Sequence, residues 1–367
     1  EKAIAPPAGS RTGEGASLAQ QALASRSYAP FPAMLPRYWL PEIRSDDDRL
    51  WIGALTSGAD PLGRHRYAAR LSWPSDGGAP DWDAAYVYDR WRAAAFLRAA
   101  RESTRWQERR STERAVETGL LFPFRRVRWS QRALAAWRIE RDEAGSTIFD
   151  RRALRAGWAL VTARRYGYSV SPEGGLMAGA TFEHARAGDP RATAATLTGD
   201  LRGYLPGVGR HHVVALRLAA GVSTGAAAAR RTFGAGGRAA PPDPIAFGRD
   251  AIGLVRGYRT DEATGTRAAA ASAEYRLPLA RIERGLGRWP LFVRQLHGAF
   301  FVDAGHAWSA RFQLADVKTA AGVELSADAV LGYYAAVTVS IGAAWRRDGS
   351  GRLPGGVVAY ARVGRAF

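Results

Sequence analysis

The sequence of 367 residues contains no cysteine and only two lysines, Lys2 and Lys318. The absence of cysteine excludes disulfide bonds, thiolate metal sites and cysteine nucleophiles. The chain also lacks any apolar run of about 18 residues, so no transmembrane helix is expected. Its length is sufficient for one large domain or two small ones.

Arginine dominates the charged residues. Lys and Arg number 52 against 34 Asp and Glu, which gives a formal charge of +18. Such an excess is typical of proteins that bind nucleic acid or an anionic surface. The arginines are spread along the whole chain, however, and acidic residues are often close by. This distribution fits a polar interior of arginine–carboxylate pairs equally well.

Runs of alternating apolar and polar residues follow one another from about residue 36 onward. In 213–224, Leu216 and Leu218 fall on one face and Arg217 falls on the other. The same alternation occurs in 132–140, 176–183, 269–277 and 333–346. A period of two predicts β-strands, and these runs exceed the usual length of about 5–6 residues.

Sixteen such strands are predicted, and their length favours a membrane protein. A tilted strand that crosses a bilayer needs about 9–11 residues, with one apolar face and aromatic residues at its ends. The sequence therefore predicts an all-β fold, a 16-stranded antiparallel transmembrane β-barrel. A soluble β-sandwich or propeller is the alternative that alternation alone leaves open. The predicted strands are 37–43, 50–58, 65–74, 83–90, 94–103, 113–122, 127–140, 152–163, 174–186, 193–204, 212–224, 267–277, 296–305, 319–328, 333–346 and 355–367.

The strand pattern also divides the chain. Residues 1–35 are rich in Ala, Pro, Ser and Gly, and are interpreted as a linker or an inward-threading segment. Residues 36–367 form the predicted barrel. Within it, residues 225–266 are a long Gly- and Pro-rich interruption, and such long loops are usually functional.

Ordered motifs begin in this long segment and continue to the end of the chain. The segment contains Val255-Arg256-Gly257-Tyr258. The next predicted strand carries Glu274, Arg276 and Pro278, and the one after carries Phe301, Asp303 and Gly305. The last residue is Phe367.

This order of motifs resembles the C-terminal half of the bacterial surface antigen superfamily, the BamA/TamA-like outer-membrane barrels. The resemblance is detailed over about residues 233–367 and only architectural before them. It implies that the long segment folds into the lumen and presents Val255, Arg256, Gly257 and Tyr258 as a loop-lock motif. It implies wall partners at Glu274, Arg276, Phe301, Asp303 and Gly305, and a last strand that ends at Phe367.

The residues themselves are consistent with a lock. The planar guanidinium of Arg256 can bind a carboxylate through two parallel hydrogen bonds, and Asp303 falls in the lumen-facing phase of its strand. Gly257 allows a tight turn at the tip. The Tyr258 ring can pack on the wall while its hydroxyl finds a partner. The alternative is that Arg256 is a solvated loop arginine.

No arrangement typical of a catalytic or cofactor site occurs in the sequence. The six histidines lack the spacing of a metal-binding helix, and His211-His212 is predicted to lie in a turn. Neither a nucleophile elbow nor a phosphate-binding loop is present. We therefore expect no enzyme activity, no cofactor and no metal site.

Two functional interpretations remain open. The resemblance implies a bacterial outer-membrane barrel that inserts or transports proteins, either alone or as the anchor of a larger protein. Its expected partners are outer-membrane lipid and a protein substrate or a fused upstream domain, with a monomeric barrel and no nucleic acid. The alternative is a soluble basic β-protein that binds nucleic acid or polyanions, and its binding would be strongly salt-dependent.

Overall fold

The computed structural model describes residues 28–46, 49–106, 109–145, 147–332, 335–348 and 355–363. Sixteen strands form one antiparallel sheet in which each strand pairs with its neighbours along the chain. They are β1 (Leu40–Asp46), β2 (Arg49–Ala59), β3 (His65–Pro74), β4 (Asp81–Tyr88), β5 (Ala94–Trp106), β6 (Arg109–Arg125), β7 (Ser130–Ala144), β8 (Thr147–Val161), β9 (Gly175–Ala187), β10 (Asp189–Pro206), β11 (Val213–Gly225), β12 (Arg267–Gly285), β13 (Leu291–Trp308), β14 (Lys318–Leu331), β15 (Ala335–Asp348) and β16 (Gly356–Val363).

Each of these strands overlaps one of the sixteen predicted from alternation, so the all-β, 16-stranded antiparallel prediction is confirmed. The largest difference lies at β12, which was predicted to end at 277 but continues to Gly285. Residues 279–290 are all exposed, and the ladder there has register shifts. Alternation identifies a strand only when one of its faces is buried, so this extension carried no signal.

The two faces of the sheet differ in polarity. In β11, Leu216 and Leu218 are exposed and Arg217 is buried. In β15, Ile341 is exposed and Ser340 is buried. The exposed face is therefore apolar and the buried face polar, which is the reverse of a soluble β-sandwich.

Residues 226–266, the lumen loop, connect β11 to β12 and fold into the space that the sheet encloses. Within the loop, Phe233–Ala235 pairs with Ala263–Gly265. The Arg132 side chain of β7 binds Asp243 of the loop at 2.7 Å. At the other end of the sheet, Arg346 of β15 donates a hydrogen bond to the Gly257 carbonyl at 3.2 Å. A loop that reaches both strands lies inside a curled sheet, so the fold is a barrel with a filled lumen.

The described residues before β1 lie beside the turn between β2 and β3. Phe31–Met34 form one 3-10 turn, and the Tyr28 hydroxyl donates to the Asp60 carboxylate. Residues 1–27, which are most of the predicted linker, and Phe367 lie outside the described residues. None of the helices in the described part of the chain is long and apolar enough to span a membrane.

Candidate functional site

The site is built around Arg256 in the lumen loop and Asp303 on β13. The Arg256 Nε donates to Oδ2 of Asp303 at 2.7 Å, and its Nη2 donates to Oδ1 at 2.8 Å. The backbone N–H of Arg256 adds a third hydrogen bond to Oδ2 at 3.0 Å. Arg256 is 2% exposed and Asp303 is 0% exposed. Bidentate, charge-assisted hydrogen bonds away from water are among the stronger contacts that a loop can make.

Two further carboxylates and one ring surround the same guanidinium. Nη1 of Arg256 lies 2.6 Å from Oε1 of Glu274 on β12 and 3.9 Å from Oε2 of Glu324 on β14. The guanidinium carbon stands 3.6 Å from the centre of the Phe301 ring. Burial alone would lower the pKa of Arg256, but Glu274 and Asp303 outweigh burial and raise it above its ordinary value. Arg256 therefore stays charged.

Two arginines of the wall balance the remaining negative charge. Arg276 Nε donates to Glu274 at 2.6 Å, and Arg362 Nη2 donates to the two oxygens of Glu324 at 2.6 and 2.8 Å. The Tyr360 hydroxyl also donates to Glu324, at 2.9 Å. Arg362 and Tyr360 belong to β16, so this network joins the loop to the last strand of the sheet.

The backbone at the tip of the loop adopts positive φ angles, at one glycine and at one leucine. Gly257 has a φ of +83°, and a Cβ atom there would lie 2.8 Å from Cβ of Ala344. The buried Leu254 has a φ of +54°, which costs a non-glycine residue about 1–3 kcal/mol. A Cβ at Gly305 would lie 2.7 Å from Cγ2 of Val255, so glycine at 305 leaves room for the valine.

Tyr258 fastens the tip to a further pair of strands. Its hydroxyl donates to the backbone carbonyl of Thr319 on β14 at 3.1 Å. Its ring lies 5.7 Å from Nζ of Lys318 and 5.8 Å from the guanidinium carbon of Arg346 on β15. The tip is thus held by four adjacent strands, β12 to β15.

The structure brings together the residues that the motifs singled out, except Pro278, which pairs with His297 further along β12. Phe367 lies outside the described residues and is not placed relative to them. The residues that meet around the tip are Val255, Arg256, Gly257, Tyr258, Glu274, Arg276, Phe301, Asp303 and Gly305.

Sequence reasoning missed a second anchor of the lumen loop, centred on Arg231. Its Nη2 lies 2.8 Å from Glu140 of β7, and its Nε lies 2.8 Å from Glu183 of β9. The same glutamates bind Arg151 and Arg155 of β8 at 2.5 and 2.7 Å. Strand alternation places both glutamates on the polar face, but they lie 91 and 48 residues from Arg231 in the chain. No local pattern links residues so far apart.

No family model matches the sequence, and no curated protein is similar to it in sequence. Solved structures are similar in fold. BamA from Haemophilus ducreyi lacking POTRA domains 1-3 has 12% identity and a TM-score of 0.59, over 90% of this chain and 76% of that one. CdiB from Escherichia coli has 12% identity and a TM-score of 0.54, over 86% and 59%. CdiB from Acinetobacter baumannii has 11% identity and a TM-score of 0.53, over 89% and 58%.

The chain spans less than two thirds of the length of either CdiB chain. At these identities the similarity concerns the fold alone. The chain has the fold of the BamA and CdiB barrels, with sixteen antiparallel strands around a loop that fills the lumen.

Proposed function

We propose that this chain is an outer-membrane barrel that inserts proteins into the bacterial outer membrane or moves them across it. The observation that carries the proposal is the lumen loop, which Arg256 fastens to Asp303 and Glu274 in a barrel similar in fold to BamA and CdiB. A membrane location is supported by the apolar outer face and by strands of up to 19 residues, since a tilted strand crosses a bilayer with about 9–11.

The two edges of the sheet support the passage of a protein between them. β1 has 7 residues, whereas its neighbour β2 has 11. Among the described residues, no backbone ladder joins β1 to β16. Unpaired edges can add a strand from another chain through backbone hydrogen bonds. In this proposal, a substrate strand pairs at the edge while the locked loop keeps the lumen filled.

In this function the chain has no catalytic role. Its partners are outer-membrane lipid and an unfolded protein substrate, and the barrel acts as a monomer. The Arg256 network reaches β16 through Glu324 and Arg362, so the lock and the last strand are mechanically connected. Movement of the edge would therefore strain the lock, and release of the lock would loosen the edge.

The test uses the full chain inserted into phospholipid vesicles. Insertion is measured first, by protease resistance and by the mobility of unheated samples on gels. A small urea-denatured outer-membrane barrel is then added, and its folding rate is compared in vesicles with and without the chain. We expect the chain to accelerate folding. Pairs of cysteines are also introduced, one within 40–43 of β1 and one within 357–361 of β16. We expect a disulfide between such a pair to abolish the acceleration, and reduction of the disulfide to restore it.

The matched control is a disulfide between Ala135→Cys and Ala156→Cys, which face each other on β7 and β8 inside the sheet. This disulfide should leave the acceleration unchanged because it does not close the edge. An inserted chain that leaves the folding rate unchanged would contradict the insertion activity and favour an anchor for a larger protein. A chain that stays outside the vesicles and binds polyanions would overturn the membrane location.

A further inference from the structure

One end of the barrel concentrates positive charge. The lumen loop leaves and rejoins the sheet at the opposite end of the barrel. We name the turns at the positively charged end the basic rim. The rim comprises residues 60–64, 89–93, 126–129, 162–174, 207–212 and 286–290. These turns contain nine arginines and three acidic residues, a formal charge of +6. The described residues of the turns at the other end, apart from the lumen loop, contain one arginine and two acidic residues.

The rim arginines differ from those of the lumen in their surroundings. Lumen arginines such as Arg256 and Arg155 are buried against carboxylates. In the rim, eight arginines are exposed and form no ion pair with any residue that the structure describes. These are Arg64, Arg90, Arg92, Arg126, Arg128, Arg164, Arg210 and Arg288. The positive charge of the rim is therefore exposed at the surface of the barrel and is not balanced by carboxylates of the described residues.

Apolar side chains stand at the tips of the same turns. Val127 is 104% exposed, Val208 is 98% exposed and Trp289 is 75% exposed. They continue the apolar outer face of the strands, because the exposed Phe124 of β6 precedes Val127 and the exposed Leu205 of β10 precedes Val208. The rim therefore lies where the apolar band of the barrel ends. In a membrane, that depth is the boundary between acyl chains and headgroups.

We propose that the basic rim binds the phosphate groups of anionic phospholipids, with its apolar tips entering the edge of the acyl layer. The inference rests on the membrane location proposed above. A guanidinium binds phosphate through two parallel hydrogen bonds, and tryptophan favours the membrane interface. A nucleic acid could contact the same arginines, but it would leave Val127 and Val208 in water. An anionic lipid surface satisfies both the charges and the apolar tips.

The test measures which lipid the inserted protein retains. The full chain is reconstituted in phosphatidylcholine vesicles that contain a trace of spin-labelled phosphatidylglycerol or spin-labelled phosphatidylcholine. Electron paramagnetic resonance gives the association of each labelled lipid with the protein. We expect phosphatidylglycerol to be preferred by about fivefold, the factor that corresponds to one arginine near an anionic surface. The preference should fall in about 1 M salt because the Debye length shrinks to about 3 Å.

Two matched double variants distinguish the effect of the rim arginines on lipid preference from the effect of the total charge of the protein. Arg126→Gln with Arg128→Gln should reduce the preference by about twofold or more, since two charges leave the rim. Arg311→Gln with Arg347→Gln removes two exposed arginines at the other end and should leave the preference unchanged.

Two results with the labelled lipids alone would overturn lipid binding by the basic rim while leaving the proposed function intact. One is equal association of both lipids with the inserted wild-type protein, and the other is an equal loss of preference in both double variants. Displacement of labelled phosphatidylglycerol by a short DNA duplex at low concentration would also overturn it, in favour of nucleic acid. Failure of the chain to enter vesicles is a different outcome, because it overturns the proposed function itself.

Discussion

Replacement of Asp303 by asparagine tests the lock directly. The amide keeps the shape of the carboxylate, but it loses the charge and turns one N–H group toward the guanidinium of Arg256. Removal of one partner of a buried ion pair costs about 3–5 kcal/mol. Glu274 remains 2.6 Å from Nη1 and still balances Arg256, so we expect the lower value, about 3 kcal/mol. Because about 1.4 kcal/mol corresponds to a factor of ten, the released loop should become about 100-fold more populated.

The absence of native cysteine makes the release measurable without background. Ala240 is buried in the lumen loop, so a cysteine there should react with a soluble maleimide only when the loop leaves the wall. We expect Asp303→Asn to raise the labelling rate of Ala240→Cys by about 100-fold. The control is Asp150→Asn, whose partner Arg141 lies 2.7 Å away in an exposed pair worth about 0–1 kcal/mol. Labelling at the wild-type rate in Asp303→Asn would refute the lock.

Two further substitutions examine the loop at other points. Gly257→Ala should lower the unfolding temperature more than Gly63→Ala. Both glycines have a positive φ, but only a Cβ at 257 would meet another atom within 4 Å. Circular dichroism measures both unfolding temperatures, and equal decreases would contradict the prediction. Arg231→Gln leaves two buried glutamates of the wall without one of their arginines. The buried Ala229→Cys should then react with the maleimide about tenfold faster, which corresponds to about 1.4 kcal/mol. Arg132 is only partly buried, so Arg132→Gln should change that labelling little. A similar increase in both variants would argue against a second anchor.

The strands of this protein could be predicted from the sequence because side-chain direction in a strand depends only on the parity of the position. Parity places Arg217 and Leu218 on opposite faces, the prediction of a membrane barrel turns Arg217 inward and Leu218 outward, and the structure agrees. The same rule failed at 279–290, where no face is buried and alternation carries no information. The meeting of Arg256 with Asp303, 47 residues away, was anticipated only because ordered motifs resemble those of a known superfamily.

By itself, then, the sequence determined which residues face inward and which face outward. The tertiary structure decided which of the inward charges meet. Alternation places many arginines and carboxylates on the same inner surface. It does not determine that Arg231 pairs with Glu140 and Glu183. Their pairing depends on how sharply sixteen strands curl and on how the lumen loop crosses the space between them. Both are properties of the whole sheet, since each strand contributes a small rotation and only their sum brings opposite walls within reach of one guanidinium.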